Sequence, residues 1–243
     1  MIKDLTPHDK AIFDKANTQF EKIVMEQLNK PNTKICNTDC MKFMAEYADN
    51  YFDLAICDPP YGINVGAMGL GKGRKLTNFE NKKWDDETPT QEYFTELQRV
   101  SKNQIIWGGN YFTDKLPVSK CYLIWDKIQE FSGADFEMAW TSFTSPSKAY
   151  RKSRVEAHTE NRKIHPTQKP VSLYRWCLKN YATEGMKILD THLGSGTIAI
   201  ALENVNRIEK LNLSLFASEI DLGYYEDAIK LIKECNSQRT FLF

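Results

Sequence analysis

The chain has 243 residues, with 32 Lys plus Arg balanced by 32 Asp plus Glu and 42% hydrophobic residues. That length suits one large α/β domain with a sizeable core and is too short for two independent domains of that kind. A formal net charge of zero excludes wholesale attraction to a polyanion, so any nucleic-acid affinity must come from local patches.

The first predicted element is a helix within residues 1–33. Thr6 stands as N-cap, Pro7 opens the helix, and Ile12, Phe13, Ala16, Phe20, Ile23, Val24 and Leu28 form an apolar stripe. The stripe is expected to pack on the domain or on a second copy in a homodimer. Residues 34–243 form the main domain. Lys34-Ile35-Cys36 reads as a short strand leaving through Asp39 into a helix over Cys40 to Tyr47. An acidic residue at such an exit lies on the ligand edge of an α/β sheet, and it also makes an N-cap.

Leu54-Ala55-Ile56-Cys57 reads as a buried strand, and Asp58-Pro59-Pro60-Tyr61 ends it abruptly, because proline cannot donate to a ladder and forces an extended exit. The result is a fixed ledge with a carboxylate, carbonyl acceptors and a flat aromatic face. Such a ledge suits a planar exocyclic amine, which needs acceptors for its hydrogens and a ring to stack on. A strand-ending turn is the plain alternative.

Residues 62–83 are Gly- and Lys/Arg-rich without periodicity and read as a mobile loop. Its stretch Gly66 to Gly73 nearly matches a P-loop, but Gly73 stands where a hydroxyl would hold magnesium. Lys72, Arg74 and Lys75 fit contact with a phosphodiester backbone better. Thr88-Pro89-Thr90-Gln91 predicts a capping box opening a helix to Val100. Strands follow at Gln104 to Trp107, Cys121 to Lys127 and Phe136 to Thr141. Segment 142–164 is basic, and Lys148, Arg151, Lys152 and Arg154 are candidate phosphate contacts.

His165-Pro166-Thr167-Gln168-Lys169-Pro170 then leads stiffly into a helix from Val171 to Ala182, with Lys169 offering a cationic pocket for a carboxylate. Met186 to Leu189 turns through Asp190-Thr191-His192-Leu193-Gly194-Ser195-Gly196-Thr197 into an apolar helix. Glycines at such a turn let a ligand approach the backbone at the helix N-terminus. Leu215 to Glu219 is a strand ending in a carboxylate suited to ribose hydroxyls, and Tyr224 to Glu234 closes the chain as a helix. The six cysteines form no C-x-x-C pair and read as reduced thiols; no metal is expected. No apolar run of about eighteen residues and no leader pattern occurs, so no membrane partner and a cytoplasmic setting are expected.

Three of these stretches, Asp58-Pro59-Pro60-Tyr61, the hexapeptide His165 to Pro170 and the Asp190 to Thr197 turn, resemble the DNA amino-methyltransferases. Because the tetrapeptide precedes the glycine turn, the resemblance is to their beta group, whose sheet is assembled in permuted order, and it covers Lys34 to Lys233. It implies a Rossmann-like, mostly parallel seven-stranded α/β sheet with helices on both faces. It also implies an S-adenosylmethionine cofactor, a DNA partner and a prokaryotic or phage-encoded enzyme. Asp58, Pro59, Pro60 and Tyr61 are then the catalytic residues. Asp39, Cys40, Asp58, His165, Thr167, Lys169, Asp190, Leu193, Gly194, Ser195, Gly196, Thr197, Glu219 and Ile220 hold the cofactor, with Asp39 on its adenine and Glu219 on its ribose. In that family Asp-Pro-Pro-Tyr accompanies adenine N6 methylation more often than cytosine N4. His192 departs from the family's usual turn, and the short 142–164 interval leaves little room for elaborate target recognition. Cytosine N4 or an RNA base as acceptor, and a non-catalytic nucleic-acid-binding subunit, stay open.

Overall fold

The computed structural model describes residues 33–63, 85–128, 134–160, 162–165 and 167–240. The expected N-terminal helix lies outside them, as do most of loop 62–83 and its Lys72, Arg74 and Lys75. Eight strands form one sheet: β1 (Thr33–Asn37), β2 (Leu54–Cys57), β3 (Gln104–Trp107), β4 (Tyr122–Asp126), β5 (Phe136–Thr141), β6 (Lys148–Arg151), β7 (Lys187–Asp190) and β8 (Ser214–Glu219). Their spatial order is β1-β8-β7-β2-β3-β5-β4-β6. Only β5 among them runs antiparallel to its neighbours, so the mostly parallel expectation holds.

The strand count corrects the expected seven. The eighth is β6, which pairs with β4 inside the segment read as a basic connection. Its Lys-Ala-Tyr-Arg carries little apolar signal, and three of its four residues are exposed, as a charged edge strand should be.

Two cores explain the helices on both faces. β2 points Leu54 and Ile56 to one side and Ala55 and Cys57 to the other. The first side meets α4 (Val171–Tyr181), α5 (Thr197–Glu209) and α6 (Leu222–Thr240). The second meets α1 (Cys40–Ala45) and α2 (Gln91–Val100), which buries Tyr93, Phe94, Leu97 and Val100 on one helical face. A short helix, α3 (Arg154–His158), follows β6 under a capping box between Ser153 and Glu156.

The capping box expected at Thr88 does not form. α2 begins at Gln91 with Thr90 as N-cap and no side-chain cap bond, while Thr88 Oγ1 accepts from Lys115 Nζ at 2.5 Å. With its hydroxyl engaged by Lys115, Thr88 does not cap the helix, which starts past the box. β3 leaves through Gly108 into a 3₁₀ turn, Gly109–Tyr111.

Candidate active site

The parallel strands all end on one edge of the sheet. Moving along that edge, β1 presents Asp39, β8 Glu219, β7 the glycine turn, β2 the Asp58 tetrapeptide and β3 Gly108. β5 runs the other way, so its beginning, not its end, reaches this edge and brings Glu137 there. A cavity of about 300 Å³, large enough for a small cofactor, runs between the glycine turn and the tetrapeptide.

The tetrapeptide is held from several sides. Asp85, at 4% exposure, accepts from the backbone N–H of Tyr61 at 2.7 Å and of Gly62 at 3.1 Å. Tyr61 OH donates to Asp58 Oδ1 at 2.5 Å and accepts from Lys169 Nζ at 3.0 Å. The Tyr61 ring stacks on Tyr111, and Gly108 lies so close that a Cβ there would meet the ring at 2.2 Å. Burial and the nearby carboxylates push the Tyr61 phenol well above its usual range, which keeps it a donor.

Lys169 is not the open cationic pocket that its position beside a helix start suggests. Its ammonium is buried and ion-paired with Asp58 Oδ2 and, at 3.2 Å, with Glu137 Oε2. Glu137 Oε1 in turn pairs with Lys127 Nζ at 2.8 Å. Charges therefore alternate along the edge in the order Lys127, Glu137, Lys169, Asp58. Burial, with Glu137 nearby, raises the Asp58 carboxyl above its ordinary range against the pull of Lys169. Burial opposes ionisation of Glu137 too, but Lys169 and Lys127 hold its carboxyl below that range.

At the other end of the cavity, Glu219 accepts from the N–H of Gly194 at 2.8 Å and of Asp221 at 2.9 Å, which fixes its carboxylate at the exit of β8. Gly194 is left-handed, with φ +53°, and a Cβ there would find nothing closer than 3.9 Å. Its missing side chain leaves space open on the cavity. Asp39 accepts from Lys42 N–H at 3.0 Å, so it is the α1 N-cap and a cavity wall at once. Cys40, His165, Thr167, Leu193, Ser195, Thr197 and Ile220 also line the cavity. His165 Nδ1 lies 3.1 Å from Thr167 Oγ1 and its ring packs edge-on against Tyr224.

Two expected cofactor residues stand behind the wall. Gly196 has φ +71° and faces α6, where a Cβ would meet Ile232 at 2.9 Å, so this glycine serves helix packing. Asp190 is 1% exposed and accepts from His192 N–H at 3.0 Å; burial pushes its carboxyl up to about 8.

The candidate phosphate contacts are partly committed within the chain. Arg151 pairs with Asp126 at 2.9 Å, Lys152 pairs with Glu160, and Lys148 donates to Asn180 at 2.8 Å. Lys148 and Arg151 remain exposed, while Arg154 and Lys152 are half-buried.

Reading the sequence missed Asp85, Glu137 and Lys127. Asp85 carries no motif signal, because its partners are backbone amides across a loop. Glu137 had one: it is the charged residue in an otherwise uncharged strand, Phe136-Glu137-Met138-Ala139-Trp140-Thr141. Among the described residues, no cluster of His, Cys, Asp or Glu could hold a metal ion, and no helix is long and apolar enough to cross a membrane.

Solved structures share this architecture at low sequence identity. The M1.HpyAVI–SAM complex aligns with TM-score 0.51 and 17% identity, over 81% of this chain and 98% of that one. The cytosine-N4-specific PvuII DNA methyltransferase aligns with TM-score 0.52 and 10% identity, over 85% and 92% of the two chains. Among curated proteins, the type II methyltransferase M.HpaI of Haemophilus parainfluenzae is 40% identical over 63 residues, which is 26% of this chain and only 20% of that protein. The type II methyltransferase M2.MboI of Moraxella bovis is 22% identical, over 70% of this chain and 78% of its own. The N6/N4 DNA methylase family model matches residues 109–230, about half of the chain and the part that carries the hexapeptide, the glycine turn and Glu219. The chain belongs to the N6/N4 DNA methylase family.

Proposed function

We propose that this protein is an S-adenosylmethionine-dependent DNA methyltransferase acting on the N6 amino group of an adenine flipped out of the helix. The observation that carries the reading is the single cavity with a glycine turn and acidic strand exits at one end and Asp58, Pro59, Pro60 and Tyr61 at the other.

The cofactor fits the first end. The space left by Gly194, the fixed Glu219 carboxylate and Asp39 suit a nucleoside with hydroxyls and a cationic sulfur. When bound, S-adenosylmethionine supplies an electrophilic methyl group. Thr167 and His165 close the wall beside the turn.

The rest is the work of this chain. Flipping a base costs a few kcal/mol, and an aromatic face on Tyr61 repays part of it by stacking. Asp58 and the Pro59 carbonyl accept the two amino hydrogens and draw the nitrogen lone pair out of conjugation. A nitrogen so held would face the methyl group of S-adenosylmethionine, which Asp39, the Gly194 turn and Glu219 would hold and which would supply an electrophilic carbon with sulfur as the leaving group. A buried carboxylate beside the positive charge growing on nitrogen stabilises the transition state more than it would in water. Of the basic side chains, Lys148, Arg151 and Arg154 are proposed to position the phosphodiester backbone.

Asp at the first position of the tetrapeptide favours adenine. The test is mass spectrometry of nucleosides from unmethylated duplex DNA incubated with the protein and S-adenosylmethionine, with Asp58→Ala alongside. The expected product is N6-methyladenine, absent with Asp58→Ala. N4-methylcytosine would replace the base and keep the site, and product formed by Asp58→Ala would overturn the catalytic assignment.

A further inference from the structure

Asp58 has no vacant oxygen in the observed arrangement. Oδ1 accepts from Tyr61 OH and Oδ2 is paired with Lys169. Each oxygen keeps a further lone pair, but an Oδ2 held by a lysine ammonium is a weak acceptor for an amino group and cannot take its proton until that ammonium withdraws. Lys169 is the candidate to move because a second carboxylate already lies within reach, Glu137 Oε2 at 3.2 Å. Glu137 itself is anchored by Lys127 at 2.8 Å, and Lys127 is held over the Trp125 ring, 5.5 Å from its centroid. A buried lysine cannot leave one carboxylate without another to receive it, since an uncompensated buried charge is strongly unfavourable.

We propose that Glu137 is a positioning residue, the second seat of the Lys169 ammonium, and that by taking this charge it releases the Asp58 carboxylate to the target amino group. This inference rests on the methyltransferase reading. It also accounts for the proton. After methyl transfer the nitrogen is positively charged; one N–H bond breaks, its electron pair stays on nitrogen, and the proton forms an O–H bond with Asp58 Oδ2. Lys169 then needs a counter-charge that is not Asp58, and Glu137 provides it.

The groups facing Asp58 are Lys169 from the segment that leads into α4, Tyr174 from α4 itself, Tyr61 from its own loop, Asp190 from β7 and Glu137 from β5. Among these, Glu137 is a negative charge that makes Asp58 easier to protonate. Removing it commits Lys169 to Asp58 and lowers the pH at which Asp58 titrates.

The experiment compares the wild type with Glu137→Gln and Glu137→Asp. In Glu137→Gln, kcat is expected to fall roughly a hundredfold, as for a misplaced catalytic group, with the S-adenosylmethionine Kd unchanged. The acid limb of its kcat profile moves to lower pH, whereas Glu137→Asp, which keeps the charge, leaves the limb near the wild-type position. A second readout needs no cofactor: the ¹³C carboxyl titration of Asp58 in the free protein, assigned with Asp58→Asn, shifts to lower pH in Glu137→Gln. An unchanged kcat and limb would overturn the inference, as would a loss equal at every pH and shared by Glu137→Asp. If the wild type methylates no DNA, the function reading fails, and the carboxyl titration still decides whether Glu137 governs Asp58. Should Glu137→Gln not fold, Glu137→Asp and Lys127→Met are titrated in its place; a Lys127→Met protein with the wild-type Asp58 titration and kcat would overturn the inference.

Discussion

The rings of Tyr61 and Tyr111 lie face to face, their centroids 5.0 Å apart and their planes 14° from parallel. No base fits between rings at that separation. Tyr111 is 40% exposed and sits on the short turn after β3, so it covers one face of the Tyr61 ring, the aromatic surface on which the proposed flipped base would stack. An aromatic pair of this kind is worth about 0.5–1.5 kcal/mol. Tyr111→Ala is therefore expected to lower KM for DNA by roughly threefold to tenfold and to raise the fluorescence of 2-aminopurine placed at the target position. A fall in both the fluorescence and the affinity would mean that Tyr111 supports Tyr61 instead of covering it.

Gly108 makes a second prediction. It is left-handed at φ +74°, and a Cβ would stand 2.2 Å from the Tyr61 ring. Gly108→Ala thus combines backbone strain of about 1–3 kcal/mol with expulsion of the ring. The expected result is a lower midpoint in urea and loss of methyl transfer, with S-adenosylmethionine binding retained by calorimetry.

At the glycine turn the sensitive group is Glu219. Its two oxygens take backbone N–H groups from Gly194 and Asp221, so it shapes the turn as well as facing the cavity. Glu219→Gln keeps the size, loses the charge and places a donor against one of those N–H groups. The S-adenosylmethionine Kd is expected to rise at least about tenfold, in line with the loss of a charge-assisted hydrogen bond, and the urea midpoint to fall, since the unpaired N–H costs about 1–3 kcal/mol. An unchanged Kd would remove Glu219 from the cofactor site.

Asp190 gives a pH signature in the cofactor-free protein. Burial lifts its folded carboxyl to about 8, far above its unfolded value. The folded state therefore binds this proton more tightly than the unfolded one, a contribution present in full below about pH 4 and lost as pH rises through about 8. Asp190→Asn is neutral throughout and still accepts from His192 N–H. Relative to this variant the wild type should lose stability across that window, on the order of 1 kcal/mol per pH unit. Parallel stability curves for the two proteins would show that Asp190 is ionised in the fold.

The sequence displayed best what depends on neighbours along the chain. The Leu54–Cys57 strand with its proline exit, the Gly194 turn and the Glu219 strand end are each local signals, and each reaches the cavity. Legibility failed where a residue's role is set by an element distant in sequence. Lys169 read as a free cation because Asp58 and Glu137 come from strands far upstream. Gly196 read as a ligand contact because nothing nearby announces Ile232 on α6. Glu137 was passed over because an antiparallel strand reverses which of its ends meets the site. The exposed edge strand β6 lacked the apolar run by which buried strands are found.

β2 and β7 are immediate neighbours, with Leu54 opposite Ile188 and Ala55 opposite Leu189. The strands that carry the tetrapeptide and the glycine turn are thus one strand spacing apart, about 4.8 Å, although the chain makes a long excursion between them. That spacing is enforced by the ladder and not by the connecting chain. The order in which the chain reaches the two loops can therefore differ without disturbing the cavity, so long as these two strands stay paired.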